Sequence, residues 1–157
     1  MNKDTQPEQI NEQGTSQVQF SIEKIYVKDL SFETPNSPKI FQQKWEPIVN
    51  LDLANSASSL SDEFYEVVLS ITVTVSFEKE TVYLVEVQQG GIFKILNVPK
   101  DILNRMLNTV CPNILFPFAR EVISDLVTKG GFPQLILAPV NFDAIYQQQS
   151  GEKTISN

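Results

Sequence analysis

The 157-residue chain contains no histidine and a single cysteine, Cys111. Without histidine the commonest general base is missing, and neither a Ser-His-Asp nor a Cys-His site can be assembled within the chain. One cysteine makes no intrachain disulfide, as expected in a reducing compartment, and no Cys/His cluster is available for zinc or copper. Basic residues are scarce as well: 12 Lys and Arg stand against 19 Asp and Glu, a formal net charge of −7. That balance disfavours nucleic acid, whose phosphates need Lys and Arg to release counterions. It fits solubility alone, or a basic protein partner reached by electrostatic steering. No apolar run approaches the roughly 20 residues of a membrane span. The first sixteen residues lack the apolar centre of a secretory signal, so a cytoplasmic protein without membrane insertion is expected. No GxGxxG, P-loop or nucleophile elbow is present, and no cofactor is expected.

What is present is strand patterning followed by helix patterning. Residues 1–16 are polar and read as a disordered tail. Val18, Phe20 and Ile22 alternate, Ile25 and Val27 take the other parity, and Leu30 and Phe32 return. Bulges near Glu23-Lys24 and Lys28-Asp29 would reconcile the slips, because a one-residue slip turns every side chain to the opposite face. Residues 34–47 form a long connection with Pro35, Pro38 and Pro47 around Phe41 and Trp45. Val49, Leu51 and Leu53 give a second strand, and Asn55 to Ser61 reads as a Ser-rich turn. The third strand keeps one parity without a break from Tyr65 to Phe77. Glu78-Lys79-Glu80 is a charged hairpin tip. The fourth strand places Tyr83, Val85 and Val87 on one face, and Gly90-Gly91 reads as its end.

From Pro99 the period becomes helical. Ile102, Met106 and Val110 share a stripe, Cys111-Pro112 reads as an interruption, and a second amphipathic helix ends at Gly130-Gly131. Pro117 must lie in its first turn or kink it. Phe132 to Pro139 is extended, Asn141 is a candidate cap for a short last helix, and 147–157 reads as a frayed polar tail. The expected fold is therefore α+β: a four-stranded antiparallel sheet, Greek-key-like in preference to a meander, with two or three helices on one face. The domain is expected over 17–146.

Three placements of apolar side chains invite a functional reading. Phe41, Trp45 and Phe132 sit in Pro-rich connections, where they either plug the core or line a groove for apolar peptide segments. Leu84 faces outward beside Glu86, with Asp29 and Glu33 nearby in the first strand. That face is either merely solvated or a docking spot for a basic, partly apolar partner. Phe118, Val122 and Leu126 widen the apolar stripe of the long helix beyond one sheet contact, which points to a second buried interface in an oligomer.

The segments VYLVEVQQGGIF (82–93), CPNILFPFAR (111–120), FPQLILAPVNFDAIY (132–146) and DLSFETPNSPKIFQQKW (29–45) resemble the SecB family. The resemblance runs from about Gln17 to Tyr146, in order and spacing. It implies a homotetramer, a dimer of dimers, that holds unfolded preproteins in apolar grooves without ATP and delivers them to the SecA translocation ATPase. It assigns the groove to Trp45, Val49, Leu51, Leu53 and Phe142, with Phe41 a further candidate. SecA docking falls to Asp29, Glu33, Leu84 and Glu86; any zinc belongs to the partner. It also places Val85, Val87 and Gln89 near the subunit interface, with Val85 at a position where cysteine occurs in the family. Two alternatives stay open: a related chaperone for another client such as an antitoxin, and a small-ligand binder or carboxylate-dependent enzyme. The latter would need two carboxylates converging in an apolar cavity.

Overall fold

A computed structural model describes residues 17–155, with side chains to Gly151. The expected N-terminal tail, 1–16, lies outside the described residues. Four strands, β1 (Gln19–Glu33), β2 (Ile48–Ser61), β3 (Phe64–Phe77) and β4 (Glu80–Leu96), form one antiparallel sheet in the order β1-β4-β3-β2. The last three strands are joined by hairpins and β1 returns beside β4, which is the expected Greek-key arrangement read in reverse chain direction. Glu78 and Lys79 both have positive φ (49° and 67°), the backbone of a two-residue hairpin turn that follows the strand twist. Three α-helices follow: α1 (Lys100–Asn108), α2 (Val110–Lys129) and α3 (Phe142–Ile155).

Both parity slips in β1 are real. The register against β4 shifts between Ile22 and Lys24 and again between Val27 and Asp29. The bulges keep Ile25, Leu30 and Phe32 on the face toward the helices. That inner face carries the unbroken row of β3, in which Val67, Leu69, Ile71, Val73 and Val75 are buried, together with Val85, Val87 and Phe93 of β4. The α2 helix lies over β4 and β3 through Leu115, Ala119, Ile123 and Val127.

Four local expectations are corrected. Asn55–Ser61 is strand, not turn; β2 continues to Ser61 because its small residues pair with β3, Ala57 opposite Val67. Gly90-Gly91 lies inside β4, not at its end. A Cβ at Gly90 would stand 2.5 Å from Tyr26 Cε2, and one at Gly91 2.7 Å from Phe93 Cε2 and 2.9 Å from Leu115 Cδ2. The glycines admit close approach of neighbouring side chains, a second meaning of glycine within a strand. The helical break falls at Thr109, whose φ and ψ are −127° and −65°, so Cys111-Pro112 lies in the first turn of α2, where proline costs no hydrogen bond. Pro117 is consequently interior to α2 and removes a donor there. Finally, α3 continues through the expected polar tail to Ile155. Its Gln-rich sequence has adequate helix propensity, and the Asn141 cap is present: Ala144 N–H donates to Asn141 Oδ1 at 3.0 Å.

Candidate functional site

The Pro-rich connection is anchored just ahead of its aromatic pair, Phe41 and Trp45. Ile40, in a short 3₁₀ turn (Lys39–Gln42), is buried, and Asn36 Nδ2 donates to Thr81 C=O at 2.8 Å. Phe132 is the hub beneath it: its ring centroid lies 4.8 Å from Tyr83, 5.1 Å from Phe41 and 6.0 Å from Trp45. Phe132 itself is buried, so it plugs the core. Trp45 is half-buried, and Phe41 is 50% exposed. Phe41, Trp45, Pro47, Phe132 and Pro133 line an open depression of ≈560 Å³.

From that depression β2 leads away as an apolar rail. Val49 pairs with Val75, Leu51 with Val73 and Leu53 with Ile71, which places all three on the inner face. The partners on β3 are sealed, whereas Val49 is 44% and Leu51 40% exposed. The difference is positional: α2 covers β4 and β3, and β2 is the edge strand beyond it. At its far end Leu53 enters a smaller cavity of ≈100 Å³ with Leu69, Phe142, Ile145 and Tyr146. At about 3.4 Å per residue, the strip from Pro47 to Asn55 runs roughly 27 Å. Phe142 differs from its expected role as open groove surface. It is buried and packs edge-on against Phe116 at 6.1 Å, so it forms floor.

The opposite face of the sheet gathers the acidic set. Register places Glu33 opposite Leu84 and Ser31 opposite Glu86, with Asp29 one pair further along opposite Gln88. The three carboxylates are exposed and Leu84 is half-buried among them. Thr72 Oγ1 approaches Glu86 Oε1 at 3.4 Å from β3. Further along this face Lys28 Nζ meets Glu66 Oε1 at 2.8 Å, and the Tyr26 hydroxyl donates to the other Glu66 oxygen. The Lys28 bond, then the Tyr26 bond, hold the Glu66 carboxyl below its usual range. Burial, with the Glu66 bond second, pushes Tyr26 up to about 12.

The six expected interface residues divide into two groups. On α2, Phe118 is 48% exposed, and Val122 and Leu126 are half-buried at the margin of the core. Val85, Val87 and Gln89 require correction as direct contact residues: they are 0%, 1% and 2% exposed within this one chain. Gln89 Nε2 donates to Tyr26 C=O at 3.0 Å, beneath the helices. Any influence they have on assembly passes through packing of the sheet.

Among the described residues the buried polar side chains are Gln89 and Thr109, so no carboxylate pair converges in the interior. No group of three or more Cys, Asp or Glu among them is arranged to hold a metal ion. Cys111 is fully buried, and burial pushes its thiol up to about 12, far from a reactive thiolate. No described helix is long and apolar enough to cross a membrane.

The family described as "Preprotein translocase subunit SecB" matches residues 13–153. The chain belongs to the SecB family. A protein-export protein SecB of Nitrosococcus oceani is 56% identical over 155 residues, covering 98% of this chain and 94% of that protein. One from Methylococcus capsulatus is 56% identical over 131 residues, covering 83% and 84%. Among solved structures, a SecB-like chaperone of Mycobacterium tuberculosis in complex with a ChAD peptide from an antitoxin shares the fold. It superposes with a TM-score of 0.66 at 17% identity, over 78% of this chain and 91% of that one. Sequence reasoning missed two features that bear on the candidate groove: the length of β2, hidden by its serines, and the depth of Phe142, since helical spacing alone does not separate floor from rim.

Proposed function

We propose that this SecB-family chain is a protein-export chaperone that holds unfolded preproteins in the apolar strip along β2 and releases them to the translocation motor without hydrolysing ATP. The observation that carries the reading is the uncovered inner face of β2, continuous between an aromatic depression and the Leu53 cavity. A holdase needs large apolar surface with few fixed polar groups, so that many sequences fit. Each client side chain buried there contributes about 1.5–3 kcal/mol before ordering costs, and linked segments on an oligomer gain further through effective concentration.

The acidic face with Leu84 at its centre fits a basic, partly apolar partner, and we assign it to the SecA ATPase. Assembly into a homotetramer is supported by two apolar surfaces that the single chain leaves open. One is Phe118, Val122 and Leu126 on α2; the other is Ile22, Val27 and Leu30 on edge strand β1, which are 47%, 41% and 45% exposed. Edge strands with such residues are normally covered. A cytoplasmic location follows from this role. The test is refolding of a slow-folding preprotein in the presence of the chain and absence of ATP. The reading expects a marked delay at stoichiometric excess, and an unchanged rate would overturn it. The export names of the 56%-identical relatives favour preproteins over antitoxins as clients.

A further inference from the structure

Where the apolar strip of β2 reaches its far cavity, the inner face carries one polar residue, Asn55, paired with buried Leu69. Its amide is oriented without ambiguity. Asn55 Nδ2 donates to Leu107 C=O at 3.1 Å, and a carbonyl can only accept, so Oδ1 must point elsewhere. Asn55 is also the head of a directed relay. Its Nδ2 lies 3.4 Å from Asn108 Oδ1; Asn108 Nδ2 donates to Asn104 C=O at 2.7 Å and lies 3.4 Å from Asn104 Oδ1; and Asn104 Nδ2 lies 3.3 Å from the Tyr146 hydroxyl. Every bond runs the same way, and such chains polarise their members. The relay leaves one acceptor over: Asn55 Oδ1 is buried and no protein donor reaches it.

An unmet buried acceptor is costly and calls for an explanation. The cavity beside it has an apolar side, Leu53, Leu69, Phe142 and Ile145, and a polar side, Asn55, Asn108, Tyr146 and Gln149. From the outer side the cavity is closed by Tyr146 and Gln149 of α3. The α3 helix is anchored by buried Phe142, but the wall's own side chains are lightly tied: Tyr146 is half-buried and meets Asn104 Nδ2 at 3.3 Å, and Gln149 is exposed. An incoming side chain can therefore displace them.

The geometry points to a donor-selective subsite at the Leu53–Phe142 end of the groove, in which Asn55 Oδ1 accepts a hydrogen bond from a client aromatic side chain with a polar tip, the hydroxyl of tyrosine or the indole N–H of tryptophan. This rests on the groove reading above and deepens it: the strip is not uniformly greasy, and one end distinguishes tyrosine from phenylalanine. The apolar floor takes the ring and the relay presents the acceptor.

The test uses a fluorescein-labelled peptide of alternating leucine and serine with one central tyrosine, compared with the same peptide carrying phenylalanine, by fluorescence anisotropy. The full chain is expected to bind the tyrosine peptide about fivefold more tightly, the value of one net hydrogen bond. Asn55→Ala is expected to abolish that preference. Equal affinity in the unaltered chain, or a preference that survives Asn55→Ala, overturns the subsite. Binding of both peptides that is equal, yet weakened by Trp45→Ala, would overturn the subsite while leaving the groove standing. Binding of neither peptide overturns both. The comparison within the unaltered chain holds even if the Asn55 variant folds poorly.

Discussion

Replacing Phe41 by Ser and both Val49 and Leu51 by Thr removes the apolar character of the rail with little damage to the fold. Threonine is β-branched and keeps the strand preference of an edge position. The three side chains are 50%, 44% and 40% exposed, so roughly half of each is free for a client to cover. Full burial of such a side chain is worth about 1.5–3 kcal/mol, so the free half is worth about 1 kcal/mol. Three together give about 3 kcal/mol, or roughly a 150-fold loss of affinity per groove. On a multivalent client the loss compounds, since each weakened site lowers the gain from the next. The assay is binding of a labelled, unfolded preprotein by anisotropy, with delay of its refolding as the functional readout. Thermal melts of the variant control for folding. Wild-type affinity in a folded triple variant would refute the argument, because the rail would then contribute nothing.

Leu84→Arg combined with Glu86→Lys is expected to abolish binding to the motor ATPase by titration calorimetry while leaving preprotein binding unchanged; loss of both would mean that these residues serve the fold. Gly91→Ala is expected to lower stability in urea melts by about 1–3 kcal/mol, the usual result of overpacking. Its methyl would press on Phe93 and Leu115, both fully buried and unable to yield. Glu66→Gln tests the outer-face lock. Because the folded carboxyl is held below its usual range, chiefly by Lys28, its stabilisation is present at neutral pH and fades as pH falls through the folded value. The variant should therefore be less stable than the unaltered chain at pH 7, and the gap should close as the pH falls below the usual carboxylate range; a gap independent of pH would contradict the assignment.

Much of the sheet was legible because burial writes itself into parity. The two slips in β1 located both bulges, and the uninterrupted row from Tyr65 to Phe77 gave the central strand. Placing Leu84 and Glu86 opposite Val85 and Val87 required only period two, and the docking set does share one face. What parity cannot see is an element whose side chains carry no hydrophobic signal. The second half of β2 is held by backbone pairing under Ala and Ser residues, whose letters alone read as a turn. Gly90-Gly91 looked like punctuation because a glycine needed for close approach and one needed for a turn are the same letter. Val85, Val87 and Gln89 were placed near an interface by likeness to the family, and their burial under this chain's own helices depends on the layer order of the fold. The orphaned acceptor of Asn55 was invisible for a further reason: it depends on Leu107 and Asn108, more than fifty residues away.

Neighbouring residues on opposite faces of one strand give the most direct test. A photo-crosslinking side chain installed at position 51, on the inner face, should capture an unfolded preprotein efficiently. The same group at position 52, which pairs with Thr72 on the outer face, should not. Equal capture from both positions, or capture from 52 alone, would contradict the claim that unfolded chains are held along the uncovered inner face of β2.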